Sequence, residues 1–442
     1  MTAAGSLRGE IRLPSDKSIA HRALIFNAMA TGSAEVTLRR PGADVLSTIS
    51  VLRELGAVSH VRESGGSVVV KVHGAGEPGA AQLPAGGGER LDCGNSGTTM
   101  RLLCGALAGR SGATATELIG DASLSSRPME RVAAPLRAMG AQVGTTLGHA
   151  PVRVVGRRPL QAPQHDLPVA SAQVLGALTL AALAADGTTT IDTPAETRDH
   201  TERLLAWLGA SVRREGTRTT IDGPVGMQAR SLTVPSDLSS AAAWLVAATL
   251  HPNAELCLPG VSLNPTRTAI VDVLREMGAD IDVVPQGSPS ASPEPVGDLV
   301  VRSAGDLRPI SLGGPRVASL IDELPLIAMA MAAANGISEL RGAEELRVKE
   351  SDRISQVVRH LVAMGVEADE LPDGWRVTGG RRSHPLPVQV TTGGDHRIAM
   401  SFAIAALAGH SGDASIDDPA CIDVSYPGFW DDLESVAAVA AR

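Results

Sequence analysis

The sequence predicts an α/β (α+β) protein made of six copies of one supersecondary unit, grouped as two similar halves. Three observations carry this. An Ala/Leu/Met-rich helix followed by a β-prone run recurs six times, with Gly32, Gly112, Gly187, Asn253, Gly336 and Gly412 closing the helices at separations of 66 to 83 residues. Such a period suits two helices and several strands per copy. In five copies a second helix ends in its own glycine, at Gly56, Gly140, Gly209, Gly278 and Gly365, and the sixth ends in DDLESVAAVAAR. Finally, LPSDKS at Leu13 to Ser18 returns as VPSDLSS at Val234 to Ser240, 221 residues and half the chain length later.

The copies fill all 442 residues, and 43% hydrophobic against 20% charged residues gives more core than one ordinary domain needs. The opening MTAAGSLRGEIRLP lacks the apolar stretch of a secretory signal, and no run approaches the roughly 18 apolar residues of a membrane span. We therefore expect a cytoplasmic protein with no membrane partner. Cys93, Cys104, Cys257 and Cys421 are far apart and lack close histidines, so neither a disulfide framework nor a metal site is expected. Net charge -9 with eight aromatic residues excludes the basic footprint and stacking platforms of a nucleic-acid binder. Nucleotide and metal motifs such as GxxxxGK[ST], GxGxxG and HExxH are absent.

Polar clusters fall where the repeat puts the starts of the first helices: DKSIAHR, GNSGTTMR, ASAQ, SDLSS, IDELP and DHRIAM. A helix start offers unpaired N–H donors and the positive end of the dipole, which suit phosphate or carboxylate. Lys17, Arg22, Arg101 and Arg397 join such starts, where a cation is unfavourable unless an anion intervenes. In SDLSS we expect plain capping. Second-helix starts add Arg127, Arg198, Arg267 and the LRVKESDR run with Lys349, Glu350 and Arg353; Arg267 reads as a solvated helix end. Asp322, Glu350 and Asp395 could move protons, although Asp322 alone, at an apolar helix start, reads as a cap before a base. Only Lys17, Lys71 and Lys349 are lysines, the other 36 basic residues being arginine. Lys71 lies on a strand-like run, whereas Lys17 and Lys349 sit inside polar clusters.

Together PSDKSIAHRAL, LDCGNSGTTMRLL, GDASLSSRPMERV, PVASAQV, TRDHTERLL, LNPTRTA, EELRVKESDR and DHRIAMS resemble the 5-enolpyruvylshikimate-3-phosphate synthases over nearly the whole chain. The resemblance implies two domains, each of three βαβαββ units with helices inside and strands outside, and an active site in the interdomain cleft. Residues 1–14 with 236–442 would form domain I and 15–235 domain II. It also implies transfer of the enolpyruvyl group of phosphoenolpyruvate to the 5-hydroxyl of shikimate 3-phosphate through a tetrahedral intermediate, without cofactor and as a monomer.

By the same resemblance Lys17, Asp322 and Glu350 are catalytic. Lys17, Ser18, Arg22, Ser171, Ala172, Gln173, Arg198, Asp322 and Lys349 face shikimate 3-phosphate. Lys17, Asn95, Gly97, Arg127, Gln173, Arg353, His396 and Arg397 face phosphoenolpyruvate, and Gly97 is the family's glyphosate-sensitive form. Two departures stand out. Val424 and Ser425 lie where many members carry a late basic residue, and Ala172 stands where some have a second serine. The sister reading, an enolpyruvyl transferase acting on UDP-N-acetylglucosamine, wants a cysteine in the loop that here reads GDASLSSRPM. A non-catalytic phosphate-binding module is the remote alternative, and would not need Asp322 and Glu350.

Overall fold

The computed structural model describes residues 4–86, 88–112, 114–287, 292–380 and 385–438. It forms two compact units: unit 1 is Met1–Pro14, Pro235–Ser288 and Pro295–Arg442, and unit 2 is Ser15–Val234 with Pro289–Glu294. Pro235 goes with unit 1 because the chain is tied there immediately after it. The Ser236 amide donates to the Gly260 carbonyl at 2.8 Å and the Asp237 amide to the Pro14 carbonyl at 2.9 Å. Ser15, by contrast, is held by the carbonyls of Arg39 and Val234 in unit 2.

Within unit 2 the repeat is clearest in its second copy. Strand Arg90–Asp92 leads into helix Gly97–Ala108, strand Ala115–Ile119, helix Glu130–Ala138 and the hairpin Gln142–Thr146/His149–Val155. The leading strand is parallel to Ala115–Ile119, and the other pairings are antiparallel. The third copy repeats this order around helix Ala172–Ala182, with strands Gln164–Asp166, Ala185–Asp192, Arg218–Gly223 and Val212–Glu215. The first copy borrows its leading strand. Leu232–Thr233 lies parallel to Thr31–Arg39, whereas Ser6–Glu10, which precedes that copy in the chain, lies parallel to Ala254–Ser262 in unit 1. The two halves have exchanged leading strands.

In unit 1 the fourth copy surrounds helix Leu238–Leu250 and the fifth follows helix Leu324–Ala333. The sixth is abbreviated. It pairs Val388–Val390 with Ala414–Ile416 and has no hairpin among the described residues. Instead its second helix, Phe429–Val436, runs into Ala437–Ala438, which pairs antiparallel with Ser6–Glu10. This half therefore carries the three expected units, the last of them shortened among the described residues.

Each unit has its own core, built on three first helices that are hydrophobic nearly all round. Leu238–Leu250 is buried at every residue. Small residues let these helices approach: a Cβ on Gly105 would lie 1.9 Å from the Ala177 carbonyl oxygen of the neighbouring helix. Second helices bury one face, and the five glycines after them all have positive φ, as a left-handed helix terminus requires. Gly32 and Gly187 act differently from expectation: they fall inside strands Thr31–Arg39 and Ala185–Asp192, after the helices have already ended.

Candidate active site

In unit 2 the polar clusters gather at three helix starts, each capped by its own side chain. Asp16 accepts from the Ile19 amide at 3.0 Å, Ser96 from Thr99 at 3.2 Å and Ser171 from Val174 at 3.4 Å. Capping satisfies some of the orphan donors and fixes the direction of the residues that follow. Lys17 opens the first helix, its ammonium 3.9 Å from the Asp44 carboxylate. One turn on, Arg22 is buried; its Nε donates to Thr201 Oγ1 at 2.8 Å and Nη1 to the Ser18 carbonyl at 3.0 Å. Burial pushes the Arg22 pKa down to about 10, and Arg198 lies near enough to add to the depression.

A second cationic group surrounds Gly97. Arg101 donates to Gln173 Oε1, and Gln173 Nε2 donates to Thr98 Oγ1 at 2.9 Å. Arg127 Nη2 donates to Asn95 Oδ1 at 2.8 Å, while Asn95 Nδ2 donates to Asp121 at 2.7 Å. A Cβ on Gly97 would lie 2.8 Å from Arg101 Nη1 and 3.3 Å from Arg127 Nη1. Glycine is thus what lets two guanidinium groups crowd one helix start. Burial, then Arg127, lowers the Arg101 pKa to about 10. Ala172 is the first residue of its helix, next to the capping Ser171.

Linking the two groups is a buried chain of side chains. His21 Nδ1 lies 2.6 Å from Thr48 Oγ1, Thr48 Oγ1 2.6 Å from Thr99 Oγ1, and Thr99 donates to Ser96 Oγ at 2.6 Å. Burial first, and then the charges of Lys17 and Arg22, push the His21 pKa down to about 3, so the imidazole stays neutral. Thr48, Thr98, Thr201 and Asp44 touch predicted site residues or the chain that links them, and the sequence reading did not select them. Thr98 stood in the GNSGTTMR motif and Thr201 in TRDHTERLL; Thr48 and Asp44 come from a segment with no motif.

Unit 1 has the opposite balance. Arg353 opens helix Arg353–Ala363 and is 1% exposed, yet carboxylates surround it. Its Nε donates to Asp395 at 2.8 Å, its Nη2 to Glu350 at 2.7 Å, and its Nη1 lies 3.7 Å from Asp322. Those charges outweigh burial and hold its pKa above the ordinary arginine value. Nη1 has no hydrogen-bond partner among the described residues. Lys349 lies 3.7 Å from Glu345 one turn before it. Asp395 caps helix His396–Leu407 by accepting from the Arg397 amide at 2.9 Å; His396 and Arg397 are both buried, and Arg397 Nη1 donates to the Ser239 carbonyl at 3.3 Å.

Two expectations are overturned here. Asp322 does not cap: Glu323 occupies the cap position of helix Leu324–Ala333, leaving the Asp322 carboxylate turned to Arg353. Arg267 is no solvated helix end but is 3% exposed, because an ion pair with Glu323 at 3.5 Å compensates its burial. SDLSS caps as expected, with Asp237 accepting from the Ser239 amide at 2.8 Å. No group of metal-ligating side chains occurs among the described residues. Val424 ends a 3₁₀ helix, Pro419–Val424, and residues 415–430 contain no Lys or Arg.

The family model for EPSP synthase (3-phosphoshikimate 1-carboxyvinyltransferase) matches residues 1–433. The chain belongs to the EPSP synthase family. It is 48% identical to the 3-phosphoshikimate 1-carboxyvinyltransferase of Roseiflexus castenholzii, over 99% of both chains. With that of Chloroflexus aurantiacus it shares 46% identity, over 100% of this chain and 99% of the relative. The EPSP synthase structure from Acinetobacter baumannii superposes with TM-score 0.84 at 38% identity, covering 99% of this chain and 98% of the other. The enolpyruvyl transferase NikO from Streptomyces tendae, at 19% identity and TM-score 0.73 over 99% of this chain and 97% of that one, shares the fold. The chain is therefore a transferase of the shikimate pathway that moves an enolpyruvyl group. The UDP-N-acetylglucosamine alternative is not favoured.

Proposed function

We propose that the unit 2 cluster binds the anionic groups of shikimate 3-phosphate and phosphoenolpyruvate, and that unit 1 supplies the proton-moving groups. In this reading Ser18 and Arg22 take the shikimate carboxylate, and Ser171, Gln173 and Arg198 its phosphate. Lys17, Asn95, Gly97, Arg127 and Gln173, with Arg353, His396 and Arg397, take phosphoenolpyruvate. The observation that carries it is the crowding of Lys17, Arg22, Arg101, Arg127 and Arg198 at helix starts in a chain of net charge -9. Arg22 and Arg101, whose pKa values burial lowers, are stabilised by an arriving anion, and charge-assisted bonds from guanidinium groups hold it.

Asp322 accepts the proton of the 5-hydroxyl as that oxygen bonds to C2 of phosphoenolpyruvate, and Glu350 delivers a proton to the methylene carbon. Return of a methyl proton to Glu350 and cleavage of the C2–O bond to the phosphate then release phosphate and leave the enolpyruvyl ether, with Lys17 stabilising the departing oxygen. An ammonium suits this role because it approaches as a point charge and can give up a proton, whereas arginine cannot. A phosphate-release assay with shikimate 3-phosphate beside UDP-N-acetylglucosamine tests the reaction; no release with the former sinks the reading. Replacing Asp322 by Asn separates enzyme from binding module: lost turnover with retained ligand binding supports the former.

Gly97 supports inhibition by glyphosate in competition with phosphoenolpyruvate, and full activity in millimolar glyphosate would count against it. The four cysteines are unpaired, which supports a reducing, cytoplasmic location.

A further inference from the structure

Unit 1 contains a buried polar cluster that the reaction as described leaves unused. Ser239, Arg267 and Glu323 are 3%, 3% and 2% exposed. Arg267 Nη2 donates to Ser239 Oγ at 2.5 Å, Ser239 Oγ donates to Glu323 Oε1, and Arg267 Nη2 lies 3.5 Å from the same carboxylate oxygen. Three elements meet there: the first turn of helix Leu238–Leu250, the loop before helix Ala269–Met277, and the cap position of helix Leu324–Ala333.

Burying two charges carries a desolvation cost that apolar residues of similar volume would not incur. Such a cluster therefore calls for a reason beyond stability. Its attachments supply one. Glu323 is the residue after Asp322, so fixing its side chain fixes the backbone from which the Asp322 carboxylate reaches Arg353. Ser239 also offers its carbonyl oxygen to Arg397 Nη1 at 3.3 Å. One serine thus ties an acid proposed for proton transfer, through its neighbour, to a cation proposed for phosphoenolpyruvate.

The duplication points the same way. Ser239 stands 221 residues after Ser18, its counterpart in the repeated PSD motif. In unit 2 the Ser18 carbonyl accepts from Arg22 Nη1 at 3.0 Å, as the Ser239 carbonyl accepts from Arg397. The difference is in the hydroxyl: that of Ser239 is spent on Glu323, a carboxylate of the chain itself. Where Ser18 is proposed to meet an external carboxylate, Ser239 holds an internal one.

We infer that Ser239, Arg267 and Glu323 are positioning residues that together aim Asp322 and Arg397. This rests on the roles proposed for those two residues. The test compares Ser239→Ala, Glu323→Gln, Arg267→Met and the double variant Glu323→Gln/Arg267→Met with the parent enzyme. Thermal unfolding, kcat, KM for phosphoenolpyruvate and direct binding of shikimate 3-phosphate are measured for each. Removing one charge strands the other and lowers the melting temperature, whereas the double variant removes both and recovers it. Aim is not recovered with it. We expect the refolded-stability double variant to keep at least a tenfold loss in kcat and a severalfold higher KM for phosphoenolpyruvate, with shikimate 3-phosphate binding changed less than threefold.

A double variant that regains parental kcat and KM along with stability overturns the inference, since the cluster would then be structural only. Asp322→Asn, assayed in parallel, keeps the two readings apart. Full activity in Asp322→Asn removes its acid–base role and leaves the cluster to be judged on KM for phosphoenolpyruvate. Loss of activity there beside a parental double variant overturns the cluster alone.

Discussion

A side chain added at Gly97 would meet two guanidinium groups, at 2.8 Å and 3.3 Å. Both are the mobile ends of long side chains, so Gly97→Ala should fold while displacing Arg101 and Arg127. We expect KM for phosphoenolpyruvate to rise about tenfold, or about 1.4 kcal/mol of binding, with the melting temperature nearly unchanged; steady-state kinetics beside thermal unfolding checks it. His21 governs a different property. Its pKa falls from 6.5 to about 3 on folding, so below pH 6.5 the unfolded chain takes up a proton that the folded chain refuses. Its contribution to stability is full above pH 6.5 and is lost as pH falls toward 3, amounting to a few kcal/mol at about one unit per 1.4 kcal/mol. Urea unfolding from pH 7 to pH 4 should show a shallower acid decline in His21→Asn than in the parent. The site was legible in the sequence where its parts are neighbours. Asp16, Ser96, Ser171 and Asp395 announce helix starts because a cap acts two or three residues away. Arg22 and Thr201 are 179 residues apart and Arg267 and Glu323 are 56 apart, so only tertiary packing joins them, and Arg267 was misread for that reason.

Among the elements, the second helices were the easiest to read. A helix terminus at positive φ asks for glycine, and Gly278, at φ 111°, meets that demand. A Cβ there would touch only the Asp306 carbonyl at an ordinary 3.6 Å, so the strain is in the backbone alone. Gly278→Ala should cost about 1 kcal/mol or more, read as a lower urea midpoint with unchanged slope. The first helices misled the same reasoning. Helix Lys17–Met29 ends at Ala30 in extended conformation, and Gly32 belongs to the next strand. A chain that passes directly from a buried helix into a strand needs no left-handed terminus, and a glycine two residues on then marks the strand instead. The abbreviated sixth copy was equally hidden, because DDLESVAAVAAR reads as helix whether or not a hairpin should follow.

Across the whole molecule, local and global charge oppose each other. A net charge of -9 repels anionic substrates at long range, while the cations at the unit 2 helix starts attract them at short range. Salt weakens both, but exposed long-range repulsion is the more easily screened. Raising ionic strength from about 0.01 M to about 0.1 M shortens the Debye length from about 30 Å to about 10 Å. KM for both substrates should therefore rise by less than the severalfold expected if attraction alone were screened, with kcat unchanged; a tenfold increase would contradict the balance. The exchanged strands carry a further consequence. Ser6–Glu10 precedes every strand of unit 2 in the chain, yet its partners are Ala254–Ser262 and Ala437–Ala438. All the described strands of unit 2 exist once Thr233 has been synthesised, whereas Ser6–Glu10 must wait through the synthesis of every one of them for its partner Ala254–Ser262. A strand that waits so long for its partners during synthesis is a segment on which a chaperone would be expected to act.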